Sequence, residues 1–145
     1  MSESLTIKIK YHTDAIDKIG AAHEGEWVDL RNAEEVTLKA GESGIIDLGV
    51  SMELPIGYEA ILAPRSSTFR RYGLFQTNGI GVIDYLYNGN NDRFGMAVYA
   101  TKDVNIPVNT RLCQFRIQKQ QPKIEFIEVD DLENDDRGGF GSTGN

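Results

Sequence analysis

The sequence predicts an all-β domain of jelly-roll type, and three observations carry that expectation. Apolar residues recur at every second position in short runs, turns containing Gly, Pro or Asn separate those runs, and only one brief stretch reads as helix. Period-two alternation belongs to strands with one face buried, and many short strands at regular spacing fold as a sandwich or barrel.

In chain order, Leu5, Ile7, Ile9 and Tyr11 alternate with Thr6, Lys8 and Lys10 and predict the first strand. Residues 36–39 predict another. Ile46, Leu48, Val50, Met52 and Leu54 alternate with Asp47, Gly49, Ser51 and Glu53, which predicts one long half-buried strand. Residues 58–63, 74–77, 94–100, 112–118 and 123–129 supply the remaining strands. In the run from Leu112, Cys113, Phe115 and Ile117 should face one way and Gln114 and Arg116 the other. The single helix is expected over residues 66–72, capped by Ser66 or Ser67. At Asp130 the composition turns acidic and then Gly-rich, so residues 1–129 are expected to form the β domain and residues 130–145 a flexible arm.

Four segments carry candidate chemistry. Gly81-Val82-Ile83-Asp84-Tyr85-Leu86-Tyr87-Asn88-Gly89 places a carboxylate, Asp84, and a phenol, Tyr87, three residues apart on a Gly-bounded apolar hairpin, with Asn78 just before it. Amide, acid and aromatic groups can thus converge on a small ligand, although an ordinary strand end uses the same residue types. Arg137-Gly138-Gly139-Phe140-Gly141-Ser142-Thr143-Gly144 closes the chain with too little apolar surface to offset an ordering cost of about 1 to 2 kcal/mol per residue. Its backbone N–H groups, two hydroxyls and guanidinium suit a polyphosphate, and a plain linker would share the composition.

Pro64-Arg65-Ser66-Ser67-Thr68 joins a strand to the helix start, where free N–H groups beside Arg65 make an anion site or a simple cap. Arg111-Leu112-Cys113-Gln114 opens a strand after the turn Pro107-Val108-Asn109-Thr110.

With 145 residues, 40% of them hydrophobic, the chain makes one domain with a modest core. It has neither an apolar run near 18 residues nor a basic, apolar leader, so no membrane span or secretory signal is expected. Its one cysteine, Cys113, is expected as a reduced core thiol, with a cytoplasmic location to match. A net charge of −7 argues against nucleic-acid binding. The same charge repels a free triphosphate, so a divalent cation is expected to work with Arg65, Arg111 and Arg137.

Taken in order, these segments resemble the five motifs of the trimeric dUTP pyrophosphatase (dUTPase) family, in a bacterial or phage type. Trp27-Val28-Asp29-Leu30 is similar to the first motif, Pro64 to Ser67 the second, Asn78 to Gly89 the third, Arg111 to Gln114 the fourth, and Arg137 to Gly144 the fifth. The chain departs from the family at three points: Glu26-Trp27-Val28 stands where Ala-Gly usually precedes Asp-Leu, Ser67 stands where Gly is common, and the spacer from Arg137 to Phe140 is two residues shorter.

The resemblance implies the β-clip jelly-roll fold and hydrolysis of dUTP to dUMP and pyrophosphate, which excludes uracil from DNA and supplies dUMP for thymidylate synthesis. Asp84 would activate the water that attacks the α-phosphorus. Asn78 and the backbone of Gly81, Val82 and Ile83 would read uracil, Tyr87 would pack against deoxyribose, and Phe140, or Phe94 in its place, would cover the base. Arg65, Ser66, Ser67, Gln114, Arg137, Gly141, Ser142 and Thr143 would hold the phosphates, and Asp29 would hold Mg2+ through water.

The same resemblance implies a homotrimer with sites at subunit boundaries. Two other functions share the fold. One is a dCTP deaminase-like activity; the other is a non-catalytic module or regulatory partner-binding role, using residues 15–26 or 88–93.

Overall fold

The alternating runs become eleven short strands and one five-residue helix in a computed structural model that describes residues 4–139 and Gly141. A four-stranded sheet runs in the order β2 (Val28–Arg31), β11 (Arg111–Lys119), β6 (Tyr58–Pro64) and β8 (Gly81–Asp84). A three-stranded sheet runs β4 (Ser43–Asp47), β9 (Gly95–Ala100), β7 (Leu74–Gln76). Two further antiparallel pairs join β1 (Lys8–Tyr11) to β5 (Val50–Glu53) and β3 (Val36–Leu38) to β10 (Val104–Ile106). Every ladder is antiparallel, and most join strands far apart in sequence, the long-range pairing of a jelly roll.

Between the sheets lies one apolar core that includes Leu48, Leu62, Phe94, Met96, Val98, Leu112 and Phe115. Phe94 and Phe115 meet edge to face at 6.4 Å, a favoured aromatic geometry. The expected facing of β11 holds, since Cys113 and Phe115 are buried while Arg116 is exposed. A register shift between Arg111 and Cys113 adds Leu112 to the core. No helix among the described residues is long and apolar enough to cross a membrane.

Four expectations need correction. The run from Ile46 to Leu54 is two strands: all five of its apolar residues are buried, but at Gly49, φ 72°, the chain leaves β9 and turns to pair with β1. A Cβ at Gly49 would lie 3.0 Å from Ala33 Cβ, so the crossing has room only for glycine.

Residues 123–129 join no sheet. Pro122 interrupts the chain after β11, and Phe126 and Ile127 stay 92% and 83% exposed, so the apolar pattern has no strand edge in this chain to pair with.

The segment from Gly81 to Gly89 is not a hairpin ladder. β8 pairs with β6, and the chain then turns away to β9 in the other sheet. The helix, finally, is α1 (Thr68–Tyr72), and its N-cap Ser67 makes no side-chain capping bond. Thr68 does the fastening instead: its hydroxyl accepts the Arg65 N–H at 3.0 Å and donates to the Leu112 carbonyl at 2.7 Å. Strands β2, β8 and β10 span three or four residues, too few for period two to identify them.

Candidate active site

The outward face of the four-stranded sheet carries the candidate residues in two groups. At one end, antiparallel register sets Asp29 of β2 opposite Gln114 of β11, and Gln114 opposite Ala63 of β6. Arg65 follows directly from β6, and its Nε lies 3.1 Å from Asp29 Oδ1. Arg111 Nη1 lies 3.8 Å from the other Asp29 oxygen, and Arg65 Nη1 donates to the Arg111 carbonyl at 3.4 Å. Gln114 Nε2 donates to the Pro64 carbonyl at 3.2 Å.

Two guanidiniums around one carboxylate leave this corner locally positive on a chain of net charge −7. It suits an anion rich in oxygen. Ser66, beside Arg65, is exposed, and Ser67 is half-buried. Directly beneath the corner sits Cys113, whose thiol is pushed up to about 12, first by burial and then by the nearby Asp29 charge.

At the other end of the same face lies Asp84, the last residue of β8, directly opposite Glu59 of β6. Asp84 Oδ2 accepts the Leu86 N–H at 2.9 Å, and its carbonyl accepts the Tyr87 N–H at 3.0 Å, so the acid closes its own turn. Asp84 Oδ1 accepts the Gln120 side-chain amide at 2.5 Å. Tyr87 is 42% exposed, and its hydroxyl donates to the Arg93 carbonyl at 2.7 Å. The Arg93 guanidinium in turn reaches Asp47 Oδ2 at 2.6 Å, which ties the loop to the end of β4.

Before β8, Gly79 (φ 70°) turns the chain. Gly81 then packs so closely that a Cβ there would lie 3.4 Å from Leu62 Cβ and 3.7 Å from Asn78 Nδ2. Asn78 therefore stands beside Gly81 at the start of β8. Val82 points outward at 60% exposure, and Ile83 is half-buried against the core.

The fold brings Asp29, Arg65, Arg111 and Gln114 together, and separately Asn78, Gly81, Asp84 and Tyr87. It does not bring the two groups together within one chain. Ala63 and Glu59, which mark the two ends on β6, are four residues apart, or about 13 Å along the strand. A groove of about 250 Å3 between β3 and β4, lined in part by Glu34, Val36, Leu38 and Ile45, contains none of the expected site residues.

Phe94 is a core residue at 1% exposure, held by hydrogen bonds of its backbone to Val50 and Leu48, and cannot cover a base from there. Arg137, Gly138, Gly139 and Gly141 are exposed. Phe140, Ser142 and Thr143 lie outside the described residues. Gln120, Glu59, Arg93 and Asp47 were not anticipated near the acid and its turn. For Gln120 a signal existed, since Gln118 and Gln120 continue the outward phase of Gln114 and Arg116.

Two packed layers of short antiparallel strands, with an acid and turn at one end of an outer sheet and an arginine corner at the other, are the architecture of a β-clip jelly roll. The dUTPase family model matches residues 27–144. The chain belongs to the dUTPase family. It is 50% identical over 140 residues to the SPbeta prophage-derived deoxyuridine 5'-triphosphate nucleotidohydrolase YosS of Bacillus subtilis, covering 97% of this chain and 99% of that protein. It is 36% identical to the deoxyuridine 5'-triphosphate nucleotidohydrolase of Clostridium acetobutylicum, covering 97% of each.

Among solved structures, a variant of the Staphylococcus bacteriophage 80alpha dUTPase with dUpNHpp superposes with a TM-score of 0.74 at 20% identity, covering 96% of this chain and 98% of that one. A mutant dUTPase from phage phi11 of S. aureus that coordinates a structural Mg(II) ion gives 0.71 at 19% identity, covering 89% of this chain and 99% of that one.

Proposed function

We propose that this chain hydrolyses dUTP to dUMP and pyrophosphate, which keeps uracil out of DNA and supplies dUMP for thymidylate synthesis. The observation that carries this reading is that the fold assembles two complementary partial groups, Asp84 with its Tyr87 turn and the Asp29–Arg65–Arg111–Gln114 corner. Membership of a family whose relatives are named deoxyuridine 5'-triphosphate nucleotidohydrolases supports the substrate.

The Asp84 carboxylate takes a proton from a water that attacks the α-phosphorus, and the bond to the bridging oxygen of the pyrophosphate breaks. Gln114, Arg65, Ser66 and Ser67 hold the phosphates, and Arg137, Gly141, Ser142 and Thr143 close over them from the C-terminal arm. Asn78 and the backbone of Gly81, Val82 and Ile83 read the uracil edge. Tyr87 lies against the sugar, where a 2′-hydroxyl would collide, and Phe140 covers the base.

The residues present fit Mg2+ held through water. Asp29 offers hard carboxylate oxygens, each already facing a guanidinium, so an ion there would be held through water and carried mainly by substrate phosphates. When bound, Mg2+ neutralises charge on the phosphates. A mutant phage dUTPase of the same fold coordinates a structural Mg(II) ion.

The separation of about 13 Å between the two groups in one chain supports sites that draw the Asp84 turn from one subunit and the arginine corner from another, and the resemblance to the trimeric family makes a homotrimer the assembly proposed. The buried, protonated Cys113 fits a reducing cytoplasm.

Incubation with dUTP or dCTP and Mg2+ tests the reading. Pyrophosphate from dUTP alone is expected. Ammonia from dCTP would mark a deaminase, and no product from either would mark a non-catalytic module. Light scattering at three times the mass of one chain checks the assembly.

A further inference from the structure

On the outer face of the four-stranded sheet, one residue touches the proposed base without belonging to any of the five motifs. β11 ends at Lys119, and the Gln120 N–H still donates to the Gly57 carbonyl at 2.9 Å, so the backbone of Gln120 is fixed in the outward phase of the strand. The ladder rows Gln118↔Glu59 and Glu59↔Asp84 then place Gln118, Gln120, Glu59 and Asp84 on a single face.

Each amide takes one carboxylate. Gln118 Nε2 donates to Glu59 Oε2 at 2.9 Å, and Gln120 Nε2 donates to Asp84 Oδ1 at 2.5 Å. An ionised carboxylate only accepts, so the amide must present its NH2. The Leu86 N–H occupies the other oxygen at 2.9 Å.

We infer that Gln120 is a positioning residue for the reaction: with the Leu86 N–H it clamps the Asp84 carboxylate from both sides and fixes which lone pairs face the attacking water. The inference rests on Asp84 acting as the base. A carboxylate has about four lone-pair directions, and two donors leave one free on each oxygen. Fixing the plane of the group removes rotation about its terminal bond, and an in-line attack depends on how the water is held. Glu59, the like-charged neighbour directly opposite Asp84 on β6, is held by Gln118 rather than by Gln120, so each carboxylate has its own amide donor.

The test compares Gln120→Ala, Gln120→Glu and Asp84→Asn with the parent in single-turnover hydrolysis of dUTP with Mg2+ from pH 5 to 9, alongside binding of a non-hydrolysable dUTP analogue. Gln120→Ala should slow hydrolysis about tenfold at pH 7 with less than a twofold change in analogue binding. Its acid limb should move to higher pH, because a donated hydrogen bond favours the charged form of a carboxylate. Gln120→Glu keeps the length of the side chain and adds a like charge, so its acid limb should move further still; it also serves if the alanine variant folds poorly.

Loss of turnover in Asp84→Asn combined with an unchanged rate and acid limb in both Gln120 variants would overturn the inference while leaving the base in place. A lower rate with an unmoved acid limb would also overturn it, as a merely structural effect. Near-normal turnover in Asp84→Asn would remove both.

Discussion

The Tyr87 hydroxyl donates to the Arg93 carbonyl at 2.7 Å, so the ring that stands three residues after the acid is pinned at its far end as well as through its backbone bond to Asp84. A side chain anchored at both ends makes a firm wall. Tyr87→Ala should therefore raise kcat/KM for UTP relative to dUTP, by about tenfold or more, as the space against the 2′-hydroxyl opens. Tyr87→Phe keeps the ring and loses only the anchor, and should have a smaller effect. An unchanged UTP to dUTP ratio in Tyr87→Ala would show that the ring only packs.

Asp84 sits at the end of a strand where each oxygen of its carboxylate accepts one hydrogen bond; the isosteric amide keeps the shape, and a flip of the Gln120 amide lets its oxygen accept from the new NH2. Asp84→Asn should bind dUTP nearly as tightly as the parent and turn it over at least about a hundredfold more slowly, since a positioned general base contributes roughly 10² to 10⁴. Calorimetric binding of a non-hydrolysable analogue beside steady-state kcat separates the two effects. A kcat within threefold of the parent would exclude Asp84 as the base.

The two aromatic candidates for covering the base should now behave differently. Phe94 is 1% exposed and packed edge-on against Phe115, so Phe94→Ala should cost about 3 to 5 kcal/mol of stability and shift the thermal midpoint. Phe140→Ala should leave the midpoint alone and weaken dUTP binding by about 1 to 3 kcal/mol, the scale of one stacked base. Differential scanning calorimetry and ligand titration on both variants decide it. A Phe140→Ala protein that binds dUTP normally would leave the base uncovered by either ring.

Cys113 gives a pH dependence whose sign is fixed. Its thiol is raised in the folded chain from an ordinary 9.0 to about 12, mainly by burial. Below about pH 9 the folded and unfolded chains hold the same proton, and this contribution to stability is complete. Above that, the unfolded chain releases the proton and the folded chain does not, so stability falls by up to about 1.4 kcal/mol per pH unit until about pH 12. Urea unfolding between pH 8 and 10.5 should show this slope, and Cys113→Ala should flatten it. An alkylating reagent at pH 8 should label the folded chain far more slowly than the unfolded one.

The parts of the molecule legible in the sequence were those where one residue type answers one local demand. Alternation marked Ile46, Leu48, Val50, Met52 and Leu54 as inward, and all five are buried, yet nothing in alternation says that the chain changes sheets at Gly49. Arg65, Arg111 and Gln114 were identifiable as polar residues at strand ends, whereas their meeting around Asp29 depends on β2 and β6 flanking β11, a pairing between segments more than 30 residues apart. The misreading of residues 123–129 has the same origin. Period two reports which side chains could be buried, and burial also needs a partner edge, which this segment does not find in its own chain.

Deleting residues 137–145 should leave folding and assembly intact while nearly abolishing hydrolysis. Arg137, Gly138 and Gly139 are exposed and belong to no strand, so the described part of this segment adds nothing to the core. Ordering a segment with four glycines costs about 1 to 2 kcal/mol per residue, which contacts to a bound triphosphate would offset. Over a bound triphosphate, the Arg137 guanidinium, the Ser142 and Thr143 hydroxyls and the exclusion of water would all act where charge shifts as the bond to pyrophosphate breaks. Stability and catalysis should therefore separate in the truncated chain: the thermal midpoint should move by less than about 2 °C while kcat/KM for dUTP falls at least about a hundredfold. Trypsin gives an independent check, because its cut after Arg137 should be rapid in the free protein and slowed by Mg2+ with a non-hydrolysable dUTP analogue. Full activity in the truncated chain, or no protection by the analogue, would show that the arm takes no part in the reaction.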